Sequence, residues 1–179
     1  MMTNFSKISF GKQVVGKFNV EKTDKNGKVK KLPVQVYRLD PEDFDDCFQY
    51  EKIKKVNMHN FFDMLDPEEY QHSDYIVQDK KKDKILGLAR CKNLDESSID
   101  LQVIGTSKNK KYKGLGRALL AGILQDVKGK CSDFTVSFAL PDALGFYERC
   151  YFDDDTRNSF SLKLNKEYFD DVISDAKKL

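Results

Sequence analysis

Residues 99–127 read IDLQVIGTSKNKKYKGLGRALLAGILQDV. Their apolar positions predict a strand over residues 99–105, a basic loop after it, and an amphipathic helix that starts near Gly116. Gly114 and Gly116 carry no side chain that would block a ligand, so the first turn of the helix can present its N–H groups to an anion. The segment therefore predicts a site for a phosphate or pyrophosphate group.

The spacing of these glycines excludes two familiar nucleotide-binding loops. A dinucleotide fingerprint needs a third Gly or Ala where this chain has Leu119, and a Walker loop needs a Gly-Lys-Ser/Thr triplet, which the chain lacks. A Gly-x-Gly pair also occurs where a helix packs tightly on a strand. This simpler interpretation stays open when the loop is considered alone.

Turn and capping signals divide the rest of the chain into strands and helices. Asn26-Gly27 predicts the turn of a β-hairpin over residues 14–38, and Asp40-Pro41 predicts the start of a helix. The other predicted elements are a short helix over residues 61–70, strands over 75–78, 85–91, 134–140 and 159–164, a helix over 142–149, and a last helix capped by Asn165. We expect the three strands before the glycine loop to form a meander. Together these elements predict one α/β domain built on a mixed sheet.

The composition is that of a soluble globular protein. The 179 residues are 40% apolar and 34% charged, no apolar run reaches the roughly 18 residues of a membrane span, and the start lacks a signal-peptide pattern. Cys47, Cys91, Cys131 and Cys150 stand far apart, which predicts buried thiols in a reducing compartment rather than disulfides or a zinc site. We therefore expect a cytoplasmic protein without a metal.

Lysine is unevenly distributed along a chain whose net charge is only +2. Residues 1–32 hold eight lysines against two acidic residues, and the whole chain has 26 Lys but 5 Arg. Proteins that read nucleic acids use more arginine, because its planar fork matches phosphates and guanine edges. We therefore interpret the lysines as a solvated surface and expect neither a nucleic-acid nor a membrane partner.

A second segment, LPDALGFYERCYF at residues 140–152, follows Lys111-x-x-Gly114-x-Gly116 in the chain. The earlier motif resembles the acyl-CoA loop Q/R-x-x-G-x-G/A of the GNAT N-acetyltransferase superfamily, with Lys in place of Gln or Arg. The later one resembles that family's N-P-x-A-x-x-F-Y-E-x-x-G-F. Leu140 replaces the Asn that often contacts the cofactor, and Tyr151 replaces the Gly. The positions that agree are Pro141, Ala143, Phe146, Tyr147, Glu148 and Phe152.

The resemblance implies a GNAT-like α/β (α+β) fold, with a mixed, mostly antiparallel central sheet and helices on both faces. The acetyltransferase core would span residues 33–164 of a single domain, 1–179. An N-terminal β-hairpin extension, 1–32, and a C-terminal helix, 165–179, lie outside the resemblance. Pairing through an edge strand of the hairpin is a candidate route to a homodimer.

The resemblance also implies an acetyl-CoA-dependent N-acetyltransferase, in which a primary amine attacks the thioester directly in a ternary complex. The implied acyl-CoA contacts are Val103, Ile104, Gly105, Thr106, Lys111, Tyr112, Lys113, Gly114, Leu115, Gly116, Arg117, Ala143 and Phe146. Tyr147 matches the family's general acid, and a phenol can protonate a departing thiolate. The alternative is that Tyr147 only packs beside Phe146.

The acceptor side is less defined. Glu96 and Asp100 are candidate general bases, while His59 and His72 lie in a region expected to be helical, where a surface or capping role suffices. Acidic and aromatic residues in segments 61–64 and 153–155 suit a cationic amine, although a solvated acidic loop is the simpler interpretation. A non-catalytic acyl-CoA-binding module and an acetyltransferase for an RNA-linked amine remain the alternative functions.

Overall fold

The computed structural model describes residues 12–39, 72–81, 84–107, 109–155 and 161–179. Within these ranges the chain forms one twisted sheet and three α-helices. The strands are β1 (Lys12–Thr23), β2 (Val29–Leu39), β3 (His72–Asp79), β4 (Lys84–Asn93), β5 (Ser98–Thr106), β6 (Tyr112–Lys113), β7 (Asp133–Val136), β8 (Phe152–Asp154) and β9 (Leu162–Asn165). The helices are α1 (Leu115–Val127), α2 (Leu144–Glu148) and α3 (Phe169–Lys178). Short 3₁₀ turns, Pro141–Ala143 and Lys166–Tyr168, precede α2 and α3.

The strand order in the sheet is β6-β1-β2-β3-β4-β5-β7-β9-β8. Neighbouring strands run antiparallel with one exception, the parallel pair of β5 and β7 that the α1 crossover connects. This mixed, mostly antiparallel arrangement confirms the predicted fold class, and the predicted meander is confirmed as β3, β4 and β5.

The predicted N-terminal hairpin is confirmed as β1 and β2. Its turn is held by Asp24, whose Oδ1 accepts the backbone N–H groups of Asn26 at 2.9 Å and Lys28 at 3.0 Å. Gly27 closes the turn at φ 76°, which a residue without a side chain adopts easily. The hairpin is continuous with the sheet, because β2 pairs with β3 and the side chains of Phe18 and Val20 are buried in the core.

Helix α1 packs closely on one face of the sheet. A Cβ added to Gly122 would lie 2.5–2.9 Å from the side-chain atoms of Val36 on β2, so the helix approaches the strand as closely as glycine permits. Tyr75 on β3 donates its hydroxyl hydrogen to Asp126 of α1 at 2.9 Å, and Arg38 pairs with the same carboxylate at 3.1 Å. These bonds tie β2 and β3 to the helix that follows the glycine loop.

Several predicted elements differ from the observed ones. The strand predicted over 134–140 ends at Val136, because the backbone N–H of Ser137 bonds to the side chain of Asp100 instead of continuing a ladder. His72 begins β3 and is not helical. Asn165 makes no side-chain capping bond; instead the acidic residues Asp170 and Asp171 occupy the first turn of α3, where they complement the helix dipole.

Some predictions fall on residues that the structure does not describe. The helices expected after Asp40 and over residues 61–70, with Cys47, His59 and the segment 61–64, lie outside the described ranges. Of the four cysteines, Cys91, Cys131 and Cys150 are free, buried thiols. No helix in the described parts of the chain has the length and apolar character needed to cross a membrane.

Candidate functional site

A gap opens in the sheet where β5 and β7 separate. The parallel ladder joins only Ser98, Ile99 and Asp100 of β5 to residues 133–135 of β7. Residues 101–106 of β5 pair with β4 on one side, and no described strand pairs with them on the other. The described strands therefore leave the main-chain groups on that edge unpaired, and residues 103–106 of this edge are among the predicted acyl-CoA contacts.

The carboxylate of Asp100 holds the two strands together at the point where they part. Its Oδ1 accepts the backbone N–H of Ser137 at 2.9 Å, the hydroxyl of Ser137 at 2.8 Å and the hydroxyl of Thr135 at 3.1 Å. Asp100 is only 4% exposed, so these bonds satisfy a carboxylate removed from water. Asp100, one of the two candidate general bases, therefore lies inside the sheet.

A β-bulge interrupts β5 next to this gap. Arg90 of β4 pairs with Val103 and Cys91 pairs with Leu101, so Gln102 is the extra residue on β5. The Gln102 side-chain oxygen lies 3.1 Å from Nε2 of His72. A bulge breaks the regular ladder and re-aims main-chain groups, which makes this part of β5 suited to donating an N–H to a ligand.

The glycine loop precedes α1 and ends in a strained turn. Gly114 has φ 89°, a left-handed conformation that other residues rarely adopt, and it stands at the N-cap of α1 without any side-chain capping bond. The N–H groups of Leu115, Gly116 and Arg117 have no hydrogen-bond partner among the described residues. The start of α1 thus presents three N–H donors and the positive end of the helix dipole.

The basic part of the loop is fixed to the hairpin. β6 pairs with β1 through Glu21–Lys113 and Lys22–Tyr112, and the carbonyl oxygen of Lys111 accepts the N–H of Thr23 at 2.8 Å. The ammonium group of Lys22 lies 5.7 Å from the centre of the Tyr112 ring. This pairing positions Lys111 and Lys113, whose side chains are exposed, beside the start of α1.

The two motif segments meet at Gly116. A Cβ added there would lie 3.1 Å from the ring of Phe146, so α2 packs against the first turn of α1 at a place that only glycine leaves open. One helical step further, the guanidinium of Arg117 donates to the carbonyl oxygen of Arg149 at 3.2 Å. Residues 30 positions apart in sequence therefore form one side of a single site.

Tyr147 lies beside this junction. Its ring packs edge-on against Phe146 and Phe152, with both pairs of ring centres 5.2 Å apart. The residue is 5% exposed, and no described residue hydrogen-bonds to its hydroxyl. Burial raises the pKa of Tyr147 to about 12, and the neighbouring Cys150 and Asp100 act in the same direction, so the phenol keeps its proton at neutral pH.

A family model described as "Acetyltransferase (GNAT) family" matches residues 34–152, about two thirds of the chain. The chain belongs to the GNAT acetyltransferase family. The match contains both motif segments, the gap between β5 and β7, and the bulge.

Solved structures of GNAT-like proteins share this fold at low sequence identity. A GNAT-family protein from Desulfovibrio desulfuricans is 19% identical, and the match covers 74% of this chain and 99% of that one with a TM-score of 0.50. A mutant AtaT toxin bound to the C-terminus of the antitoxin AtaR and to acetyl-CoA is 12% identical, with 79% and 98% coverage and a TM-score of 0.51. The AtaT–AtaR complex bound to DNA is 13% identical, with 75% and 96% coverage and a TM-score of 0.55. No curated relative matches the sequence.

The residues present in this GNAT protein fit the diphosphate of an acyl-CoA. The left-handed Gly114 begins α1, Gly116 carries no side chain, and the N–H groups of residues 115–117 have no partner among the described residues, so the start of the helix can accept an anion. Ala143 lies half-buried in the 3₁₀ turn before α2, on the same side of the site as Phe146. Arg117 is engaged by the carbonyl oxygen of Arg149, so its guanidinium supports α2.

The described residues contain no group of three or more His, Cys, Asp or Glu side chains arranged to hold a metal ion. A cavity of about 360 Å³ instead lies between β5, β7 and β9, and carboxylates of Asp95, Asp133 and Asp155 are among its lining groups. Asp153 and Asp154 are exposed on β8, whereas Asp155 is 6% exposed and accepts the hydroxyl of Ser161. The acidic triplet is therefore only partly the solvated loop that we expected.

Two residues of the site escaped the sequence analysis. Ser137 lay inside the strand predicted over residues 134–140 and belonged to no motif, and Gln102 lay inside an ordinary apolar strand pattern. A bulge leaves no local signal here, because the extra residue is defined by its partner strand. Of the candidate bases, Asp100 lies at the gap, while Glu96 is exposed in the turn before β5.

Proposed function

We propose that this protein transfers the acetyl group of acetyl-CoA to a primary amine by direct attack in a ternary complex. Membership of the GNAT family supports acyl transfer. The observation that carries the proposal is the contact of Gly116 with Phe146, whose ring in turn packs on Tyr147. A candidate diphosphate site and a phenol without a hydrogen-bond partner among the described residues are thereby joined through one aromatic ring.

Each part of the site has a role in this proposal. The N–H groups of residues 115–117 hold the diphosphate, and the open edge of residues 103–106 holds the pantetheine arm by main-chain hydrogen bonds. A main-chain N–H near the Gln102 bulge donates to the thioester oxygen, where negative charge develops during acyl transfer. Tyr147 gives its proton to the sulfur as the carbon–sulfur bond breaks, and the proton that the attacking nitrogen loses passes to water and returns through water to the Tyr147 oxygen.

The attacking amine has to be neutral, because an ammonium has no lone pair to form the new carbon–nitrogen bond. The amine acceptor is proposed to be cationic in solution, and the acidic cavity beside the gap supports this. Asp95, Asp133 and Asp155 line it, and Lys163 pairs with Asp133 at 3.2 Å, so we assign the attraction to Asp95 and to the exposed Asp153 and Asp154 of β8. Replacing both Asp153 and Asp154 by Asn, which leaves the buried Asp155 intact, should raise KM for a cationic amine several-fold. Equal KM values would remove the electrostatic attraction from the proposal.

The central test is acetyl-CoA-dependent release of CoA thiol in the presence of pools of small amines, polyamines and lysine peptides. Mass spectrometry then identifies the acetylated product. The expected result is thiol release that depends on one class of amine, with a product 42 Da heavier, the mass an acetyl group adds. Binding of acetyl-CoA without any amine-dependent release would instead favour the non-catalytic acyl-CoA-binding module. Leu140 and Tyr151, which depart from the second motif, are the reason to consider that alternative.

An RNA-linked amine is the second candidate acceptor. The β6–β1 pairing supports it, because it brings Lys22 of the basic hairpin beside Lys111 and Lys113 of the glycine loop. Lysines brought together in this part of the surface would contact phosphates of an RNA. Binding to RNA should then weaken steeply as the salt concentration rises, and salt-independent or absent binding would exclude this acceptor.

Two further features bear on the cellular location of the protein and on its oligomeric state. The buried free thiols of Cys91, Cys131 and Cys150 support a reducing compartment such as the cytoplasm. A homodimer through the β1 edge remains a prediction, and β6 covers that edge only at Glu21 and Lys22. Sedimentation of the purified chain measures the oligomeric state directly.

A further inference from the structure

Tyr151 has an unusual backbone conformation at the end of α2. Its φ is 66°, and among the described residues no other residue except glycine has a positive φ. Its N–H donates to the carbonyl oxygen of Glu148 at 3.0 Å, so Tyr151 occupies the position that terminates the helix. Glycine is the usual residue there, because a side chain crowds the backbone in the left-handed conformation. Contacts of the Tyr151 side chain must therefore offset this strain.

Both contacts of the Tyr151 side chain come from the C-terminal segment. The hydroxyl donates to Oδ2 of Asp175 on α3 at 2.8 Å, and the ring stacks on Tyr168 with centres 5.6 Å apart and planes 8° from parallel. Lys178 donates to the other oxygen of Asp175 at 2.8 Å. The hydrogen bonds from Lys178 and Tyr151 lower the pKa of Asp175, which keeps the acceptor charged at neutral pH.

Helix α3 is itself seated firmly on the core. Phe169, Val172, Ile173 and Ala176 are its buried residues. The Phe169 ring meets Phe134 of β7 edge-on, with centres 6.2 Å apart. Because α3 is packed in this way, its position is fixed, and it can hold the residues that contact it in fixed positions too.

The far end of the same segment touches the glycine loop. A Cβ added to Gly114 would lie 2.7 Å from Cδ1 of Leu179, so the Leu179 side chain packs directly on the α-carbon of Gly114. Gly114 is the left-handed residue that begins α1. Residues 175–179 therefore contact the end of α2 and the beginning of α1, the two elements that meet at Gly116 and Phe146.

We infer that α3 braces the acyl-CoA site, with Tyr151 and Leu179 as positioning residues that set the spacing between the glycine loop and α2. This inference rests on the proposed function, since it assigns the brace to the site that would hold acyl-CoA. Neither residue needs to touch the ligand. Tyr151 acts through α2, which carries Phe146 and Tyr147, and Leu179 acts through Gly114.

The test measures the dissociation constant of CoA by calorimetry in single variants. Tyr151→Phe, which removes one hydroxyl and keeps the ring, and Leu179→Ala should each weaken CoA binding about three- to tenfold, the range that one hydrogen bond or small contact spans. Asp175→Ala should match Tyr151→Phe, whereas Asp175→Asn keeps an acceptor oxygen and should bind CoA like the wild type. Asp170→Ala is the matched control, because it removes the carboxylate that Lys128 binds at the exposed start of α3.

Hydrogen exchange provides a second measurement that does not need a ligand. The amide of Ala118 bonds to the Gly114 carbonyl oxygen, and the amide of Cys150 bonds to that of Tyr147. Exchange should accelerate at Ala118 in Leu179→Ala and at Cys150 in Tyr151→Phe, with the rest of the sheet unchanged.

The outcomes separate this inference from the proposed function. Wild-type protein that fails to bind CoA would overturn the proposed function, and exchange would still decide whether the brace exists. Wild-type binding that persists undiminished in folded Tyr151→Phe and Leu179→Ala would overturn the brace alone. Equal weakening in Asp170→Ala would also overturn it, because the effect would then be general destabilisation.

Discussion

At the scale of single residues, Tyr147 is the side chain whose environment most clearly departs from a packing role. Two aromatic rings hold it in place, yet its hydroxyl has no hydrogen-bond partner among the described residues. A buried tyrosine that only packs normally satisfies its hydroxyl. A buried hydroxyl without a partner among the described residues fits the proposed proton donor.

The first prediction concerns Tyr147→Phe. Removing the hydroxyl leaves the aromatic packing intact, so the variant should fold and bind acetyl-CoA with unchanged affinity while kcat falls about 10²-fold or more, the size of a general-acid contribution. Tyr37→Phe is the control, because its hydroxyl bonds to Gln35 on β2, away from the site. Steady-state kinetics with saturating amine measure both, and an unchanged kcat in Tyr147→Phe would remove this residue from the mechanism.

The second prediction follows from the raised pKa of Tyr147. The folded protein holds the phenolic proton more tightly than the unfolded chain, so the resulting stability is present below pH 10 and is lost as the pH rises towards 12. One pKa unit corresponds to 1.36 kcal/mol, so the loss over this interval is roughly 2–3 kcal/mol. Urea unfolding at pH 8 to 11 should show a shallower decline in Tyr147→Phe than in the wild type. Parallel declines would mean that burial does not protect this phenol.

The third prediction separates two roles for Asp100. Asp100→Asn keeps an oxygen that can accept the Ser137 N–H, so the gap should hold and kcat should stay within about threefold of the wild type if the carboxylate is structural. Asp100→Ala leaves that buried N–H without its acceptor and should lower the free energy of unfolding by about 1–3 kcal/mol and raise KM for acetyl-CoA. A large loss of kcat in Asp100→Asn, with normal stability, would identify Asp100 as the general base instead.

At the scale of elements, the contact of α1 with β2 determines where the glycine loop lies. The helix approaches Val36 without any side chain at Gly122, and Asp126 binds Tyr75 and Arg38 one turn later. Because α1 begins at the loop, an outward shift of the helix would also displace the N–H groups of residues 115–117. Helix–sheet packing and ligand binding are therefore coupled in this chain.

The fourth prediction tests this packing with Gly122→Ala. The new methyl group would overlap Val36, so the free energy of unfolding should fall by about 1–3 kcal/mol. Gly129→Ala is the matched control, since nothing lies within 4 Å of a Cβ at that position. Urea unfolding compares the two, and Val36→Ala should restore part of the stability of Gly122→Ala. Equal stability of both alanine variants would contradict the close approach.

Local signals explain which elements were predictable. The hairpin turn was recognised because Asp24, Asn26 and Gly27 form it within a few residues. The predicted end of β7 lies beyond the observed one, because the N–H group of Ser137, which follows the strand, bonds to Asp100, 37 residues earlier in the chain. β6 and β8 were missed for a related reason: two- and three-residue strands exist only through their partners β1 and β9.

At the scale of the whole molecule, the nine strands form one continuous sheet with β6 at one end, next to the hairpin, and β8 at the other. The proposed site borders the parallel pair of β5 and β7. α1 packs on β5, α3 packs on β7, and α2 contacts the start of α1, so ligand binding should stabilise the molecule as a unit.

The fifth prediction is a ligand-dependent rise in melting temperature. Acetyl-CoA at 100 times its dissociation constant adds about 2.7 kcal/mol to the stability of the folded state, which for a domain of this size raises Tm by about 5–10 °C. Pantetheine, which lacks the diphosphate, should shift Tm far less at the same concentration. Differential scanning calorimetry measures both, and equal shifts would mean that the loop at Gly114 and Gly116 does not hold the diphosphate.

The sequence alone predicted the strand–loop–helix order of residues 99–127, the hairpin and the two motifs. Their signals are periodicity, turn residues and glycine spacing, which all act over a few neighbouring positions. Tertiary structure alone decided that Phe146 rests on Gly116, that Asp100 clamps Ser137, and that Leu179 packs on Gly114. Each of these contacts joins residues 30 or more positions apart, and burial makes each one specific. The anion-binding character of the loop therefore depends on neighbouring residues, whereas the positions of α2 and α3 beside it depend on long-range packing.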